Sequence, residues 1–499
     1  MTATSLLERP AQTRTEHVDV LIVGAGISGI GGAYHLKTQC PDKSFIILES
    51  QASFGGTWLT HKYPGVRSDS DLYTFGYRFK PWVNAPIASS KEILTYMNAV
   101  IDENDLNRHI RYQHKIVSAK WSTQDNLWTL EVLQGSTGET LRFTTNFLWM
   151  CQGYYRHSEG YTPEWQGMAD FKGKIVHPQT WPDDLDYKGK KVVVIGSGAT
   201  AATVVPAIAA ETEHTTLLQR SPTYFIPGRN ANELADTLRD LEIDENWIHE
   251  IVRRRILKDG DAFTKRCFEH PEEARTEIMA GVRAFLSEDE VQKHFSPSYL
   301  PWRQRIAFVP EGDLFQGIKS GKASVVTDEI ERFTETGILL KSGQTLEADI
   351  IITATGFNLN VLGDIAFEID GKPLDFAKTV TYRGMMFTGV PNLIWVFGYF
   401  RASWTLRADL IGDFVCRLLK HMDKKGVKHV VPALRPEDKD MKLMPWIDPE
   451  NFNPGYLMRG MHLLPQSGDK PDWQHTQDYW REKDALPAID LDDKAFVYG

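Results

Sequence analysis

The chain has few cysteines, no long apolar run and no cluster of one charge, and each absence excludes a class of protein. Its 4 cysteines are scattered over 499 residues without a CxxC pair or a Cys/His cluster, which argues against a zinc site, an iron–sulfur site or a local redox disulfide. No window of about 18 consecutive apolar residues is present, so we expect no membrane span. The net charge of −10 comes without a long basic run, which argues against a nucleic-acid partner.

The remaining composition is typical of a globular protein of two or three domains, with 42% hydrophobic and 24% charged residues. The polar stretch Met1–His17 lacks the apolar core of a signal peptide, and we expect a floppy N-terminal arm there. Scattered cysteines fit a reducing compartment, so we predict a cytoplasmic location. The sequence leaves the oligomeric state open.

The first of two glycine-rich fingerprints lies near the N-terminus. The apolar run His17–Val23 is typical of a buried parallel strand, and the fingerprint Gly24–Gly29 follows it directly, ahead of a helical pattern. The next strand, Ser44–Leu48, ends in Glu49, where an acid can bind ribose hydroxyls. Strand, fingerprint, helix, strand and acid in this order predict a dinucleotide site.

The second fingerprint begins at Gly196, after the strand Lys190–Ile195. Here the following strand, Thr215–Gln219, ends in Arg220 and Ser221 instead of an acid. An arginine can pair bidentately with a 2′-phosphate, so we predict FAD at the first site and NADP at the second. A surface salt bridge is the alternative role for Arg220.

Three further stretches have no regular periodicity. Gly55–Asp69 is a long loop with two large aromatic residues, which favours a functional loop. Phe171–Pro182 has neither helical nor strand periodicity and reads as a connector between the two fingerprints. His294–Arg305 is rich in proline and aromatic residues, and its arginines need anionic partners.

These patterns predict an α/β protein with two Rossmann-like dinucleotide-binding domains and a helical insertion. The predicted boundaries are 1–150 with 356–499 for the FAD-binding domain, 151–228 with 300–355 for the NADP-binding domain, and 229–299 for the insertion. The Pro-rich tail after Val431 shows no readable site. We expect the substrate pocket to be built from the insertion and the tail.

Three motifs carry a resemblance to the single-component Baeyer–Villiger monooxygenases, which are of the flavin monooxygenase type and use FAD and NADPH: the connector, the loop Gly55–Asp69, and the two Rossmann fingerprints that flank the connector. The connector fits their signature F-x-G-x-x-x-H-x-x-x-W-P, and the loop Gly55–Asp69 fits the companion G-G-x-W-x-x-x-x-Y-P-G-x-x-x-D. The wording of Arg67–Phe75 and Ala402–Leu406 resembles the ethionamide-activating branch of that family.

The resemblance implies that NADPH reduces FAD, that reduced flavin and O2 give a C4a-peroxyflavin, and that a ketone becomes an ester or lactone, with sulfoxidation alongside. It places the catalytic roles on Arg305, which would stabilise negative charge, and on Asp69, which would orient it. The alternatives are a structural ion pair for Arg305 and a turn-capping role for Asp69, with Arg303 as the fallback arginine.

Carried over residue by residue, the FAD contacts fall on Gly24, Gly26, Ser28, Gly29, Glu49, Thr57, Trp58, Leu59, Thr60, Asp69 and, more weakly, Val117. The NADP contacts fall on Gly196, Ser197, Gly198, Ala199, Thr200, Ala201, Ala202, Arg220 and Ser221, with Arg67 and Ser68 near the nicotinamide.

Three other functions compete with this interpretation. A flavin monooxygenase that oxygenates only N or S usually has Tyr or Phe where Trp181 stands. A disulfide reductase would need a redox cysteine pair near the flavin, and Cys151 reads instead as a buried structural thiol. A nucleotide-binding regulatory protein without turnover is the third. For His177 we predict a structural and conformational role, not that of a general base.

Overall fold

A computed structural model of the chain describes residues 15–499. Most of the predicted N-terminal arm lies outside these residues, but Thr15–His17 belong to a strand and not to an arm. The described α-helices are Ile27–Gln39 (α1), Thr57–Thr60 (α2), Leu72–Phe75 (α3), Ser90–Glu103 (α4), Ala199–Ala209 (α5), Glu233–Asp240 (α6), Glu245–Glu269 (α7), Pro271–Arg283 (α8), Glu288–His294 (α9), Asp313–Lys319 (α10), Trp404–Lys425 (α11), Gly455–Gly460 (α12) and Tyr479–Ala485 (α13).

The strands follow in the same chain order. The first half comprises Thr15–Val23 (β1), Phe45–Leu48 (β2), Ile110–Arg111 (β3), His114–Ser122 (β4), Leu127–Gln134 (β5), Thr140–Met150 (β6), Tyr155–Gly160 (β7), Lys174–Val176 (β8), Lys191–Ile195 (β9), His214–Gln219 (β10), Phe225–Gly228 (β11), Ala307–Pro310 (β12) and Ala323–Thr327 (β13). The second half comprises Ile330–Thr334 (β14), Gly337–Leu340 (β15), Thr345–Glu347 (β16), Ile350–Thr353 (β17), Phe357–Leu359 (β18), Ala366–Ile369 (β19), Lys372–Pro373 (β20), Thr381–Tyr382 (β21), Met386–Phe387 (β22), Leu393–Trp395 (β23), Val430–Pro432 (β24), Leu443–Pro445 (β25), Gln466–Gly468 (β26) and Phe496–Tyr498 (β27).

The first sheet contains the strand before the first fingerprint. Its parallel part has the order β3-β2-β1-β6-β23, and β6 also pairs antiparallel with β5, which leads to β4, β19 and β20. The end of β1 is apolar without alternation because both faces are covered, and Leu21 and Ile22 have no exposed area. Helix α1 packs against α11 on one of these faces.

The second sheet has the order β13-β10-β9-β17-β8 and is parallel throughout. Its central strand β9 leads into the second fingerprint, and α5 packs against β10. The predicted connector is therefore not free of regular structure, because β8 lies inside it. A three-residue strand is too short to show a periodicity in the sequence.

Two segments of chain cross between the sheets, and they pair with each other. The outward crossing contains β7 and the return crossing contains β18, and these strands form an antiparallel two-stranded ribbon. His177 fastens the ribbon: its Nε2 lies 3.1 Å from the carbonyl oxygen of Gly356, and its Nδ1 accepts a hydrogen bond from the backbone N–H of Gln179. Both ring nitrogens are thus engaged by backbone, which supports a structural role for this residue.

The predicted insertion contains α6 to α9. Each large sheet and the helices packed on it form one unit of the protein, and the insertion helices contact both units. Arg253 of α7 is buried and donates hydrogen bonds to three carbonyl groups near α3, those of Tyr73, Thr74 and Gly76. Helix α8 packs against β11 beside the second sheet. The domain boundaries stay a prediction, since the insertion shares its apolar contacts with both units.

Within residues 15–499, no helix combines the length and the apolarity that crossing a bilayer requires. The predicted cytoplasmic location stays a prediction.

Candidate functional site

A cavity of about 980 Å³ lies between the two sheets and is lined by both fingerprints. Segments that are distant in sequence meet on its walls: the loop after α2, the residues after β6, the residues before β12 and the segment around α12. Ligands of parallel α/β sheets bind outside the carboxyl ends of the strands, where both fingerprints lie.

The first fingerprint forms a cradle whose shape requires glycine. Gly24 has a φ of +98°, and a Cβ there would lie 2.9 Å from the carbonyl oxygen of Cys151 at the end of β6. Glu49 is buried, and its Oε2 accepts a hydrogen bond of 2.7 Å from the backbone N–H of Ala25 inside the turn. A Cβ on Gly56 would come within 3.2 Å of Gly26 Cα, so the backbones of these two glycines approach each other closely. Neither presents a side chain to the cavity there. These residues fit the pyrophosphate and ribose of FAD.

The second fingerprint repeats this geometry. Gly196 has a φ of +137°, and a Cβ there would lie 2.3 Å from the carbonyl oxygen of Ala354 at the end of β17. A Cβ on Gly198, the residue before α5, would meet no atom within 4 Å, which leaves open space at the helix start. Arg220 lies at the end of β10 with Ser221, and within residues 15–499 it forms no ion pair. The donor set fits an anionic 2′-phosphate and hence NADP.

Arg305 and Asp69 meet inside the cavity as a bidentate ion pair. Arg305 Nε lies 2.8 Å from Asp69 Oδ2, and Arg305 Nη2 donates to Asp69 Oδ1 at 3.0 Å. Asp69 raises the pKa of Arg305 above its ordinary value, so the guanidinium remains a cation. Both side chains are partly exposed to the cavity, with 39% and 29% of their surface accessible. A fixed cation of this kind can stabilise negative charge on a bound oxygen.

The segment that carries Arg305 holds a strained backbone. Trp302 has a φ of +63°, which is uncommon for a bulky residue, and Arg401 donates to its carbonyl oxygen from Nε and Nη2. Arg303 points elsewhere, since its Nη1 donates to the carbonyl oxygen of Glu450. This arrangement favours Arg305 over the fallback Arg303, and the catalytic assignment stays a prediction.

The cavity near Arg305 has aromatic walls. Tyr154 stacks on Trp404 with ring centroids 5.3 Å apart, and Trp404 Nε1 donates to Ser28 Oγ in the first fingerprint at 2.8 Å. The ring of Tyr456 lies 5.9 Å from that of Tyr154. Burial raises the pKa of both tyrosines, so both hydroxyl groups stay protonated and can donate hydrogen bonds.

Most predicted site residues line this cavity, and five do not. The lining includes Gly24, Gly26, Ser28, Glu49, Thr57, Trp58, Thr60, Arg67, Ser68, Asp69, Gly196, Ser197, Gly198, Ala199, Thr200, Arg220, Ser221 and Arg305. Outside it lie Gly29, Leu59, Val117, Ala201 and Ala202.

Each of the five has a physical reason. A Cβ on Gly29 would lie 1.9 Å from the oxygen of Gly24, so this glycine serves helix–strand packing. Leu59 faces a different surface hollow. Ala201 and Ala202 belong to α5, and their side chains are buried in the core. Val117 is the extra residue of a β-bulge between β4 and β5, which frees its backbone from that ladder.

Arg67 lines the cavity and also has a protein partner. Its guanidinium forms a bidentate ion pair with Asp313 of α10, with distances of 2.6 and 3.2 Å, and its place near the nicotinamide stays a prediction. Its charge is already balanced, and it links the loop Gly55–Asp69 to the second unit. Ser68 beside it is buried and accepts a hydrogen bond from the backbone N–H of Ala88.

Of the two segments expected to build the pocket, the tail lines the cavity and the insertion does not. No residue of the insertion 229–299 lines the cavity, whereas the tail contributes Pro454, Gly455, Tyr456 and Arg459. Three histidines also line it: His61, His114 and His157. Burial, followed by the neighbouring His157 and His177, lowers the pKa of His61 to about 4, so its ring is neutral at physiological pH.

Cysteine and metal chemistry find no support in the described residues. Cys151 is the cysteine among the lining residues, and burial raises the pKa of its thiol. Cys40 and Cys416 approach each other between α1 and α11, away from the cavity, and both are free thiols. Among residues 15–499, no group of His, Cys, Asp or Glu side chains could hold a metal ion. A dithiol-exchanging flavoenzyme is not consistent with this arrangement.

Comparison with known proteins agrees with the site. A family model described as flavin-binding monooxygenase-like matches residues 81–233, and one for an NAD(P)-binding Rossmann-like domain matches residues 22–83. The chain is 46% identical to the FAD-containing monooxygenase EthA of Mycobacterium tuberculosis, over 97% of this chain and 98% of that protein. It is 42% identical to the probable FAD-binding monooxygenase AlmA of Acinetobacter baylyi, over 96% and 95%.

Solved structures show the same fold. A steroid monooxygenase bound to NADP superposes with a TM-score of 0.76 at 22% identity, covering 97% of this chain and 99% of the other. An open cyclohexanone monooxygenase superposes with a TM-score of 0.73 at 20% identity, covering 97% and 100%. The chain therefore belongs to the FAD-containing monooxygenases that include EthA, and it is an NADPH-dependent enzyme with FAD as its flavin.

Proposed function

We propose that the enzyme is a Baeyer–Villiger monooxygenase, which uses NADPH and O2 to convert ketones to esters or lactones and which also oxidises sulfides. The observation that carries this proposal is the ion pair between Arg305 and Asp69 in the cavity that joins the two nucleotide cradles. The cyclohexanone monooxygenase that shares the fold acts, by its name, on a cyclic ketone, which favours carbonyl substrates.

When bound, FAD supplies the activation of O2 and NADPH supplies the reducing hydride. We assign FAD to the cradle formed by Gly24, Gly26, Glu49 and Thr57, and NADP(H) to the cradle formed by Gly198 and the phosphate-facing Arg220 and Ser221. The two cradles open into one cavity, so both cofactors and a small substrate share a common space.

Arg305 is the residue to which we assign stabilisation of negative charge. Two of its N–H groups are held by Asp69, and the guanidinium carries five in total, so others remain for a bound oxygen atom. The contact is bidentate, and it fixes the plane of the guanidinium before substrate arrives. A preorganised cation loses little energy in reorientation, which is the usual source of large electrostatic effects on rate.

Trp181 distinguishes the signature motif from that of the N- or S-oxygenating enzymes, but it does not line the cavity. It packs with the core of the second unit, and its ring lies 6.3 Å from that of Tyr187. Its contribution is therefore to the connection between the units and not to substrate contact. An N/S-oxygenating monooxygenase without ketone oxidation is the alternative function.

Product analysis tests the proposal. Incubation with NADPH, O2 and a panel of cyclic, aryl, short and long ketones, with matched sulfides, should give esters or lactones identified by mass spectrometry. Absence of ester from every ketone, with sulfoxide still formed, would support the alternative.

Variants test the assigned residues. Arg305→Ala should lower the rate of ester formation by about 100- to 1000-fold, because a preorganised charge is lost. Asp69→Asn should also lower that rate, by a smaller factor, since the guanidinium keeps its charge and loses its fixed plane. Arg303→Ala is the matched control, because that side chain bonds a backbone carbonyl outside the pair. FAD content, read from flavin absorbance, should be unchanged in Arg305→Ala and Arg303→Ala, and the rate of Asp69→Asn is normalised to its measured FAD content; an Arg305→Ala rate equal to that of the control would remove the assignment.

A further inference from the structure

Arg459 is a cation of the cavity wall. It lies on α12 in the tail, and within residues 15–499 it forms no ion pair with a carboxylate. Its Nη2 donates to the carbonyl oxygen of Phe357 at 3.3 Å, and its Cζ lies 3.5 Å from the centroid of the Tyr161 ring. The guanidinium thus lies over an aromatic face, and among residues 15–499 only the carbonyl oxygen of Phe357 accepts a hydrogen bond from it.

The surroundings keep these N–H groups accessible. Gly455, on the same turn, would bring a Cβ within 3.0 Å of Arg459 Nη1, so the absence of a side chain leaves room there. Tyr161 and Arg459 both line the cavity. Burial lowers the pKa of Arg459, but a guanidinium stays charged at physiological pH. Arg459 is exposed, so an anion in the cavity can reach its positive charge.

Its position relates the charge to the second nucleotide site. A Cβ on Gly356 would lie 3.7 Å from Arg459 Nη2, and Gly356 is the third residue after the end of β17. Strand β17 is the parallel neighbour of β9, which leads into the second fingerprint. Arg459 therefore lies at the carboxyl edge of that sheet, where ligands of this type of fold bind.

We propose that Arg459, supported by the ring of Tyr161, is a binding site for an anionic oxygen group inside the cavity. The group is a phosphate of the nicotinamide dinucleotide or a carboxylate carried by the organic substrate. A planar guanidinium binds either group through two parallel N–H···O bonds. The substrate source rests on the proposed function, whereas the dinucleotide source does not.

The first measurement is a binding titration that needs no turnover. Oxidised holoenzyme is titrated with NADP+ while the flavin absorbance spectrum is followed. If a dinucleotide phosphate is the ligand, Arg459→Ala should weaken NADP+ binding by about 10- to 100-fold, the effect of losing a charge-assisted contact. Arg481→Ala, an exposed arginine on α13 outside the cavity, is the matched control.

The second measurement compares a methyl ketone that carries a terminal carboxylate with its own methyl ester. If a substrate carboxylate is the ligand, the wild type should bind the acid better than the ester, by inhibition or by KM, and Arg459→Ala should abolish that preference. Binding of the acid and of the ester to the oxidised holoenzyme is also read from the flavin spectrum. This comparison therefore stands even if no ketone is oxidised and the proposed function fails.

Two further variants separate a binding role from a structural one. Arg459→Lys keeps the charge without the planar fork and should recover part of the lost affinity. Tyr161→Phe should behave like the wild type because the aromatic face remains, whereas Tyr161→Leu should lose affinity.

Weaker NADP+ binding or a lost carboxylate preference in Arg459→Ala would each support the site and identify its ligand. Unchanged values for both ligands in Arg459→Ala and Arg459→Lys, or equal losses in Arg481→Ala, would overturn the proposal.

Discussion

The tail that carries the cavity residues is fastened by a buried ion pair, and neutralising one partner should destabilise the protein measurably. Arg407 of α11 has no exposed side-chain area and Glu482 of α13 has 3%, and Arg407 Nε lies 2.8 Å from Glu482 Oε2. The same carboxylate accepts hydrogen bonds from the hydroxyl groups of Tyr399 and Thr476, at 2.7 Å each. We expect Glu482→Gln to lose a large part of this network.

The magnitude follows from the burial. A carboxamide has one oxygen and one NH2 group, so at least one of the donors around Glu482 would face another donor. Arg407 would also keep its charge without a counter-charge, although it retains hydrogen bonds to carbonyl oxygens such as that of Phe397. Removing one partner of a buried pair costs about 3–5 kcal/mol. Unfolding entropy near 60 °C is about 2.1 cal/mol/K per residue, so for a chain of this length the midpoint should fall by about 3–5 °C if it unfolds as one unit.

Calorimetry of the holoenzyme measures this change, with urea unfolding followed by near-UV circular dichroism as a second probe. The matched control is Glu329→Gln, since Glu329 pairs with Lys341 at the surface, where an ion pair contributes under about 1 kcal/mol. A double variant with Arg407→Met and Glu482→Leu should be more stable than either single replacement, because it buries no unpaired charge. If Glu482→Gln costs no more than the surface control, the reasoning from burial is wrong.

Two further predictions concern the second nucleotide site and pH. Arg220→Ala should raise KM for NADPH by about 10- to 100-fold and leave KM for NADH nearly unchanged, since only NADPH carries the 2′-phosphate; equal effects in steady-state assays would remove that role. Burial opposes protonation of His35, but hydrogen bonds to Asp409 and Asp413 prevail and raise its pKa to about 9. A raised folded-state pKa stabilises the protein below pH ~6.5 and ceases to do so as pH rises through ~9. His35→Gln should therefore cost about 2–3 kcal/mol at pH 6 and much less at pH 10, as measured by urea unfolding at both pH values; a cost independent of pH would contradict the assigned charge.

The nucleotide cradles were predictable because every part of each is local in sequence. Gly24 and Gly196 follow their strands directly, and the acid or arginine that distinguishes the two sites ends the next strand. The fold class and both cofactors follow from that order alone, and the comparisons confirm them. The pair between Arg305 and Asp69 spans 236 residues and was reached only through the family resemblance, since Asp69 closes a motif and Arg305 lies outside both.

What the sequence did not reveal depends on long-range contacts without a local pattern. Arg67 lies in a recognisable motif, but its partner Asp313 is 246 residues away, so its charge seemed free for a cofactor. Helix α12 has six residues, too few for an amphipathic period, and it gave no sign that Tyr456 or Arg459 reaches the cavity. The insertion was expected to help form the pocket because it contains no motif with another role, but its buried residues pack into the apolar cores of both units.

The ribbon of β7 and β18 limits how the two nucleotide units can move. A chain that crossed twice through separate loops would let each unit slide, swivel and tilt on independent tethers. Here the outward and return segments are hydrogen-bonded side by side, and His177 clips one end of the strip to Gly356. A two-stranded ribbon bends more readily perpendicular to its plane than it deforms within its plane. The paired segments thus act as one connection between the two units, and we expect the flavin and nicotinamide sites to approach each other by bending at this ribbon.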